Sequence, residues 1–226
     1  MRILLLGHGR MGRLVESLAA EYGATIAGVI DEHSGDRAIA DGNYGDVDVA
    51  IDFTLADAVP RNLPQLAARK INVVIGTTGW QSQESAMRAI AKDAGIGVLA
   101  ASNFSLGMNV FQLAVEEASR HFANHPEFGA WIHETHHVMK KDAPSGTALT
   151  IKSGMERAGY QSPIDVSSAR AGSIPGTHTV GFDGPSETIE LTHTVRDRAV
   201  FARGALTAAK WLIGKQGWFS IRDLLA

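Results

Sequence analysis

The first thirty residues constrain the fold more than any other stretch. Arg2 to Leu6 is a short apolar run of the kind buried in a parallel sheet. It leads straight into Gly7-His8-Gly9-Arg10-Met11-Gly12, a G-x-G-x-x-G loop. Residues 13–23 follow with apolar side chains at 14, 15, 18 and 19 and a closing glycine, the pattern of an amphipathic helix. A second apolar strand, 25–30, ends at Asp31. Each part has a physical task. Gly7 permits the tight turn, Gly9 lets the backbone approach a pyrophosphate, and Gly12 lets the helix pack closely on the strand. The helix N-terminus faces the anion, and an acid at the end of the second strand accepts hydrogen bonds from a ribose. Strand, loop, helix, strand and acid fall in register, so residues 7–12 with Asp31 are expected to bind a dinucleotide.

The alternation continues. Residues 47–54, 71–80 and 96–104 are apolar runs ending in small polar residues, with helical segments near 55–69 and 82–94. Pro60 and Pro64 make the first of these helices irregular. Strands alternating with helices predict an α/β fold with a Rossmann-type doubly wound parallel sheet, whose ligands sit at the strands' carboxyl ends. Gly76, Thr77 and Thr78, and Ala101, Ser102, Asn103 and Phe104, occupy such ends and are further candidate cofactor contacts.

After residue 105 the pattern changes. A long helix is expected over 106–123, then strands over 128–139, 163–170, 177–184 and 187–195, interrupted by a helix over 144–159. The last strand alternates cleanly, Ile189, Leu191 and Val195 against Glu190, Thr192 and Thr194. This predicts a second α+β domain with an open mixed sheet, one face of which is solvated or covered by a partner. The helix beginning near 203 is too apolar to stand alone and should return to the first domain. The expected domains are therefore 1–104 with 203–226 for the dinucleotide, and 105–202 for substrate and oligomerisation.

Composition narrows the function. The net charge of −3 is not that of a nucleic-acid binder. There is no cysteine, which removes disulfides, thiolate metal sites and cysteine nucleophiles together, and with them the acylating aldehyde dehydrogenases. The opening apolar run is too short for a secretory segment or a membrane span, so the expected location is the cytoplasm.

The stretch HETHHVMKKDAPSGT, residues 133–147, offers two incompatible chemistries. Its first five residues satisfy the H-E-x-x-H pattern of zinc proteases, which works only on a helix because both histidines must share one face a turn apart. Trp131, Ile132, Thr135 and Val138 make it poor helix material. On a strand, His133 and His137 would stand about 13 Å apart, at about 3.3 Å per residue, too far to share one zinc. No metal is expected. The other chemistry is proton transfer. A strand would deliver His136, His137 and Lys140 to its end, and a helix started by Pro144 would present the backbone N–H groups of Ser145, Gly146 and Thr147 to an anion. These residues suit a small carboxylate-bearing molecule.

ETHHVMKKDAPSGTAL resembles the E-x-H-H-x-x-K-x-D-A-P-S-G-T-A signature of the 4-hydroxy-tetrahydrodipicolinate (dihydrodipicolinate) reductases of lysine and diaminopimelate biosynthesis. GHGRMG, AIDFT, VIGTTGW, ASNFSLGMNV, the long block from SARAGSIPGTHTV to ARGAL and the terminal GWFSIRDLL resemble further family blocks in the family's order. The resemblance implies an NAD(P)H-dependent oxidoreductase, with Lys140 as general acid and His136 as its catalytic companion. It implies that His137, Lys140, Ser145, Gly146 and Thr147 bind the substrate's carboxylates, and that the enzyme is a homotetramer joined through the second domain's sheet. The chain departs from longer members in having only about sixteen residues between Asp31 and the third strand. Glu32 stands where members accepting NADPH often carry a base, so NADH is the expected cofactor over NADPH. Two rival readings are a dehydrogenase of another small carbonyl or imine acid, and a non-catalytic dinucleotide sensor. An intact Lys140 and His136 argue against the sensor.

Overall fold

Parallel strands covered on both faces need apolar side chains at every position. β1 (Arg2–Leu6) meets this with Ile3 to Leu6 fully buried. The computed structural model, which describes residues 1–35 and 37–226, continues with α1 (Arg10–Leu18), β2 (Thr25–Ile30), α2 (Ala38–Asp41), β3 (Val49–Asp52), α3 (Val59–Ala68), β4 (Asn72–Ile75), α4 (Glu84–Ala94) and β5 (Gly97–Ala100). Next come α5 (Leu106–Phe122), β6 (Gly129–His136), α6 (Gly146–Arg157), β7 (Ile164–Arg170), β8 (Thr177–Asp183) and β9 (Thr188–Thr194). The chain ends with α7 (Ala199–Leu212), β10 (Gly217–Phe219) and α8 (Ile221–Leu225). Two compact units result, residues 1–106 with 199–226, and residues 107–198.

In the first unit six parallel strands lie in the order β10-β5-β4-β3-β1-β2. Alternate residues of each strand point to opposite faces. Ile3, Leu5, Ile51, Val74 and Leu99 therefore pack with Val15 of α1 and with Ala205, Leu206, Ala209 and Leu212 of α7. Leu4, Leu6, Ala50, Val73, Ile75 and Val98 pack on the other face with Leu63 and Leu66 of α3 and Met87 and Ala91 of α4. Gly204 is needed in α7 because a Cβ there would fall 1.7 Å from the Phe104 carbonyl oxygen.

Several boundaries differ from the expected ones. The strands expected at 47–54, 71–80 and 96–104 pair only over Val49–Asp52, Asn72–Ile75 and Gly97–Ala100, because their polar tails leave the sheet as loops. The helix expected at 13–23 starts earlier, at Arg10, with Gly9 at its N-cap. Beyond Leu18 it tightens into a 3-10 turn, Ala19–Tyr22, which left-handed Gly23 ends. The last long helix starts at Ala199 rather than near 203.

In the second unit the order is β7-β6-β8-β9, with β6–β7 parallel and the other pairs antiparallel. Met108, Phe111 and Val115 of α5 and Ala148, Ile151 and Met155 of α6 pack on one face, against Ala130, Ile132, Val180 and Phe182. β6 alternates strictly, so Glu134 and His136 point to that same buried face behind Ala130 and Ile132. The opposite face carries Trp131, His133 and Thr135 with a hydroxyl ladder, Thr179 to Thr192 (3.0 Å) and Thr177 to Thr194 (3.3 Å).

Candidate active site

In the first unit the glycine loop is shaped by close approach. Gly7 has a φ of +85°, and a Cβ on it would lie 2.4 Å from the Phe53 carbonyl oxygen. The α1 N-terminus has neither a side-chain cap nor an acid in its first turn, and nothing lies within 4 Å of where a Gly9 Cβ would be. Orphan N–H groups, open space and no competing carboxylate suit a pyrophosphate. Next to this loop, buried Asp52 organises the strand ends. Its Oδ1 accepts from the Thr54 amide (2.9 Å), the Thr54 hydroxyl (2.6 Å) and the Thr77 hydroxyl (3.0 Å), and its Oδ2 from Asn62 Nδ2 (3.0 Å). Thr77 is thus a buried brace of the 76–78 loop, and Phe104 is a core residue set edge-on to Phe53. Asp31 accepts the His33 amide (3.0 Å) and the Ser34 hydroxyl (3.2 Å). The His33 amide bond first, and the Ser34 hydroxyl after it, hold its carboxyl below the usual range despite partial desolvation.

In the second unit one carboxylate gathers three donors. Glu134 is fully buried, and its Oε1 accepts from Arg170 Nη2 (2.8 Å) and the Ser145 amide (3.2 Å), while its Oε2 pairs with His136 Nδ1. Burial would raise its pKa, but the hydrogen bonds from Arg170 and Ser168 and the charge of His136 hold it down to about 2. Burial pushes His136 below the usual histidine range, with Glu134 opposing. His178 crosses the His136 ring edge-on at 5.1 Å, and its Nε2 lies 3.3 Å from the Ser145 hydroxyl. Burial first, then the charge of His136, lower its pKa to about 4, so it is neutral near pH 7. Lys140 closes the loop beyond β6, its Nζ 2.8 Å from Asp142.

Three expectations about this segment are corrected. β6 ends at His136, so His137 shares no strand face with His133. It lies in the following turn, where its carbonyl accepts the Lys140 amide (3.1 Å). The expectation that 133–137 is not helical is met, since residues 133–136 belong to β6. The helix does not start at Pro144: Ser145 is the N-cap, accepting the Ala148 amide at 3.2 Å, and α6 begins at Gly146. Nor are the three amides all unpaired, since Ser145 donates to Glu134 and Gly146 to Asp142.

Sequence reasoning gave no role to Glu134, Arg170 or His178. The period-two pattern of β6 carried the signal for Glu134. Arg170 arrives only through register, opposite His136 on β7. One nitrogen or oxygen of each of Glu134, His136 and His178 lies within 4.8 Å of the others, a spacing that would suit a cation. Arg170, the Ser145 amide and His136 already occupy the carboxylate, and Arg170 supplies the positive charge. The cluster is a hydrogen-bond network built on that carboxylate, in which Arg170 Nε and His178 Nδ1 are buried without a partner among the described residues.

A parallel sheet with this glycine loop, in one chain with a unit that buries a Glu–His pair beside a lysine, defines a nicotinamide-dependent oxidoreductase. Residues 1–104 match the family model described as dihydrodipicolinate reductase, N-terminus, and residues 107–225 match that described as dihydrodipicolinate reductase, C-terminus. The chain belongs to the dihydrodipicolinate reductase family. It is 42% identical over 239 residues to the 4-hydroxy-tetrahydrodipicolinate reductase of Xanthomonas euvesicatoria, covering 100% of this chain and 98% of that one. It is 35% identical over 237 residues, with the same coverage, to that of Christiangramia forsetii. The dipicolinate-bound dihydrodipicolinate reductase from Paenisporosarcina has the same fold, with a TM-score of 0.82 over 97% of both chains at 20% identity. A dehydrogenase from Bordetella pertussis, solved with NADH and UDP-GlcNAcA, shares the fold more distantly, at a TM-score of 0.58 and 10% identity over 100% of this chain and 92% of that one.

Proposed function

We propose that this chain reduces 4-hydroxy-tetrahydrodipicolinate to tetrahydrodipicolinate with NAD(P)H, in lysine and diaminopimelate biosynthesis. What carries the reading is that both halves of the chain match the family while the proton-transfer residues His136 and Lys140 are intact. Loss of water from the substrate leaves a conjugated cyclic imine, and its reduction needs a hydride at one carbon and a proton at the neighbour. When bound, the reduced nicotinamide supplies the hydride. Gly7, His8, Gly9, Arg10, Met11, Gly12 and Asp31, with Gly76, Thr77 and Thr78 and with Ala101, Ser102, Asn103 and Phe104, hold the dinucleotide, Thr77 and Phe104 through their backbones because their side chains are buried. Lys140 donates the proton from its ammonium, and His136 orients the substrate. His137, Lys140, Ser145, Gly146 and Thr147 bind the two carboxylates, a positioning that lowers the entropy cost of reaction. The test is absorbance at 340 nm, with substrate generated by a coupled synthase in the presence of enzyme and reduced cofactor. A steady fall is expected; an unchanged trace would overturn the reading.

NADH is the preferred cofactor in this proposal. The 2′-phosphate of NADPH, with a charge near −2, would lie by the end of β2 beside Asp31 and Glu32. Unit charges 4 Å apart repel by about 1 kcal/mol in water and about 4 kcal/mol at a protein-surface dielectric. Arg37, six positions on, is forked onto Asp41 at 2.9 and 3.0 Å. Arg10 and Arg13 are left to oppose two carboxylates. The expected kcat/KM ratio favours NADH by roughly tenfold, about 1.4 kcal/mol, and Glu32→Arg should move it toward NADPH. An NADPH preference in the unaltered enzyme would refute the argument and point to Arg10 as the phosphate ligand.

The second unit's sheet leaves its Thr177, Thr179, Thr192 and Thr194 face without a covering helix, which supports a homotetramer joined through that sheet. Among the described residues no helix is long and apolar enough to cross a membrane, and a cytoplasmic location accords with a biosynthetic reductase.

A further inference from the structure

We propose that Glu134 is the positioning residue for His136, a role that rests on the reductase reading above: its anchored carboxylate holds the imidazole by Nδ1–H and leaves Nε2 as the nitrogen that meets substrate. The strand period sets this up, because residues two apart on β6 share the buried face. An ionised carboxylate only accepts hydrogen bonds, so the nitrogen facing it carries the proton and the neutral ring keeps its lone pair at Nε2. Arg170 and the Ser145 amide fix the other oxygen, at 2.8 and 3.2 Å, so the carboxylate cannot swing away. On the far side of the ring, Nε2 lies against Gly176, where a Cβ would come within 2.9 Å of it. A residue with a side chain at 176 would cover that nitrogen.

The charges around His136 give the sign of the expected change. Glu134 lies on its own strand, Arg170 on β7, His178 on β8 and Lys140 in the loop beyond β6. His178 is neutral near pH 7, and Arg170 and Lys140 are positive. Of these four, Glu134 alone favours the imidazolium. Replacing its carboxylate with a carboxamide therefore lowers the pKa of His136.

Two measurements test the proposal. In 15N-labelled unaltered protein, the two-bond nitrogen–proton spectrum of neutral His136 should show Nδ1 protonated and Nε2 bare. The opposite tautomer overturns the proposal, and this readout needs no variant to fold. In Glu134→Gln the His136 titration midpoint should fall by at least about one pH unit, a tenfold change in proton affinity. The limb of the kcat–pH profile that reports His136 should move to lower pH with it, while KM changes less than about threefold. If the folded variant keeps both midpoint and limb where they were, Glu134 only packs and the positioning role is refuted. Failure of the reductase assay would leave the tautomer and titration results standing, so the two readings fail separately.

Discussion

Lys140→Ala should lower kcat by a factor of about one hundred to ten thousand, the scale of a lost general acid. That range corresponds to roughly 2.7–5.5 kcal/mol of transition-state stabilisation. The side chain is one-quarter exposed, and its ammonium is held 2.8 Å from Asp142. The Asp142 carboxyl is in turn kept low, first by its hydrogen bond from Lys140 and also by the Gly146 amide. The proposed proton donor is thus tied to the α6 N-terminus that is proposed to hold the substrate. Truncating it removes the donor and leaves Asp142 bonded to Gly146, so the turn and α6 should survive, and far-ultraviolet circular dichroism should be unchanged. NADH affinity should change less than about twofold, because Lys140 belongs to the second unit and the glycine loop to the first. Single-turnover kinetics separate the two effects: a slow hydride-transfer step with normal NADH binding is expected. Near-normal turnover would remove Lys140 from the mechanism.

The parts of this chain legible from its sequence are those where one residue property repeats with the period of the backbone. Apolar runs in the first unit mark strands buried on both faces, and the glycine loop marks where the first strand hands over to a helix. Ends were less legible. Asp52 looks like the polar tail of a strand, yet it is buried within β3 and ties Thr54, Asn62 and Thr77 together. β10 is three residues long, too short for any periodicity, and exists because its backbone completes the β5 edge. In the site, His136 and Lys140 stood out as residue types, whereas Glu134 was absorbed into a metal-site pattern that requires a helix. The alternation of Ala130, Ile132, Glu134 and His136 was the available signal that an acid and a histidine turn inward together. Arg170 and His178 carry no such signal. They reach the cluster from β7 and β8 through a register that only the folded sheet specifies.

The glycine loop supplies a second large effect, and it separates two roles that the motif merges. A Cβ on Gly12 would sit 2.0 Å from the Gly7 carbonyl oxygen and 3.0 Å from its carbon. Both are backbone atoms, so no rotamer change relieves the clash, and α1 must move off β1 or the loop must open. Overpacking costs about 1–3 kcal/mol, and a backbone collision belongs at the upper end. For a chain of this size, about 3 kcal/mol lowers the apparent Tm by roughly 6–12 °C. Gly12→Ala should therefore lose stability and nucleotide affinity together. Gly9 differs. Its φ of −74° and ψ of −159° are open to any residue, and no atom lies within 4 Å of an added Cβ. Gly9→Ala should fold with a Tm within roughly 2 °C of the unaltered protein, since the poorer N-cap costs roughly 0.5–1 kcal/mol and the lower entropy of the unfolded chain offsets about 0.4–1 kcal/mol of it. Its methyl group would stand over the α1 N-terminus, where the pyrophosphate is proposed to meet bare backbone, so the Kd for NADH should rise at least about tenfold, about 1.4 kcal/mol. Thermal unfolding and fluorescence titration with NADH read the two quantities independently. Unchanged NADH affinity in a well-folded Gly9→Ala would show that this loop does not cradle the phosphates, and an unchanged Tm in Gly12→Ala would show that helix–strand contact is not why position 12 is glycine.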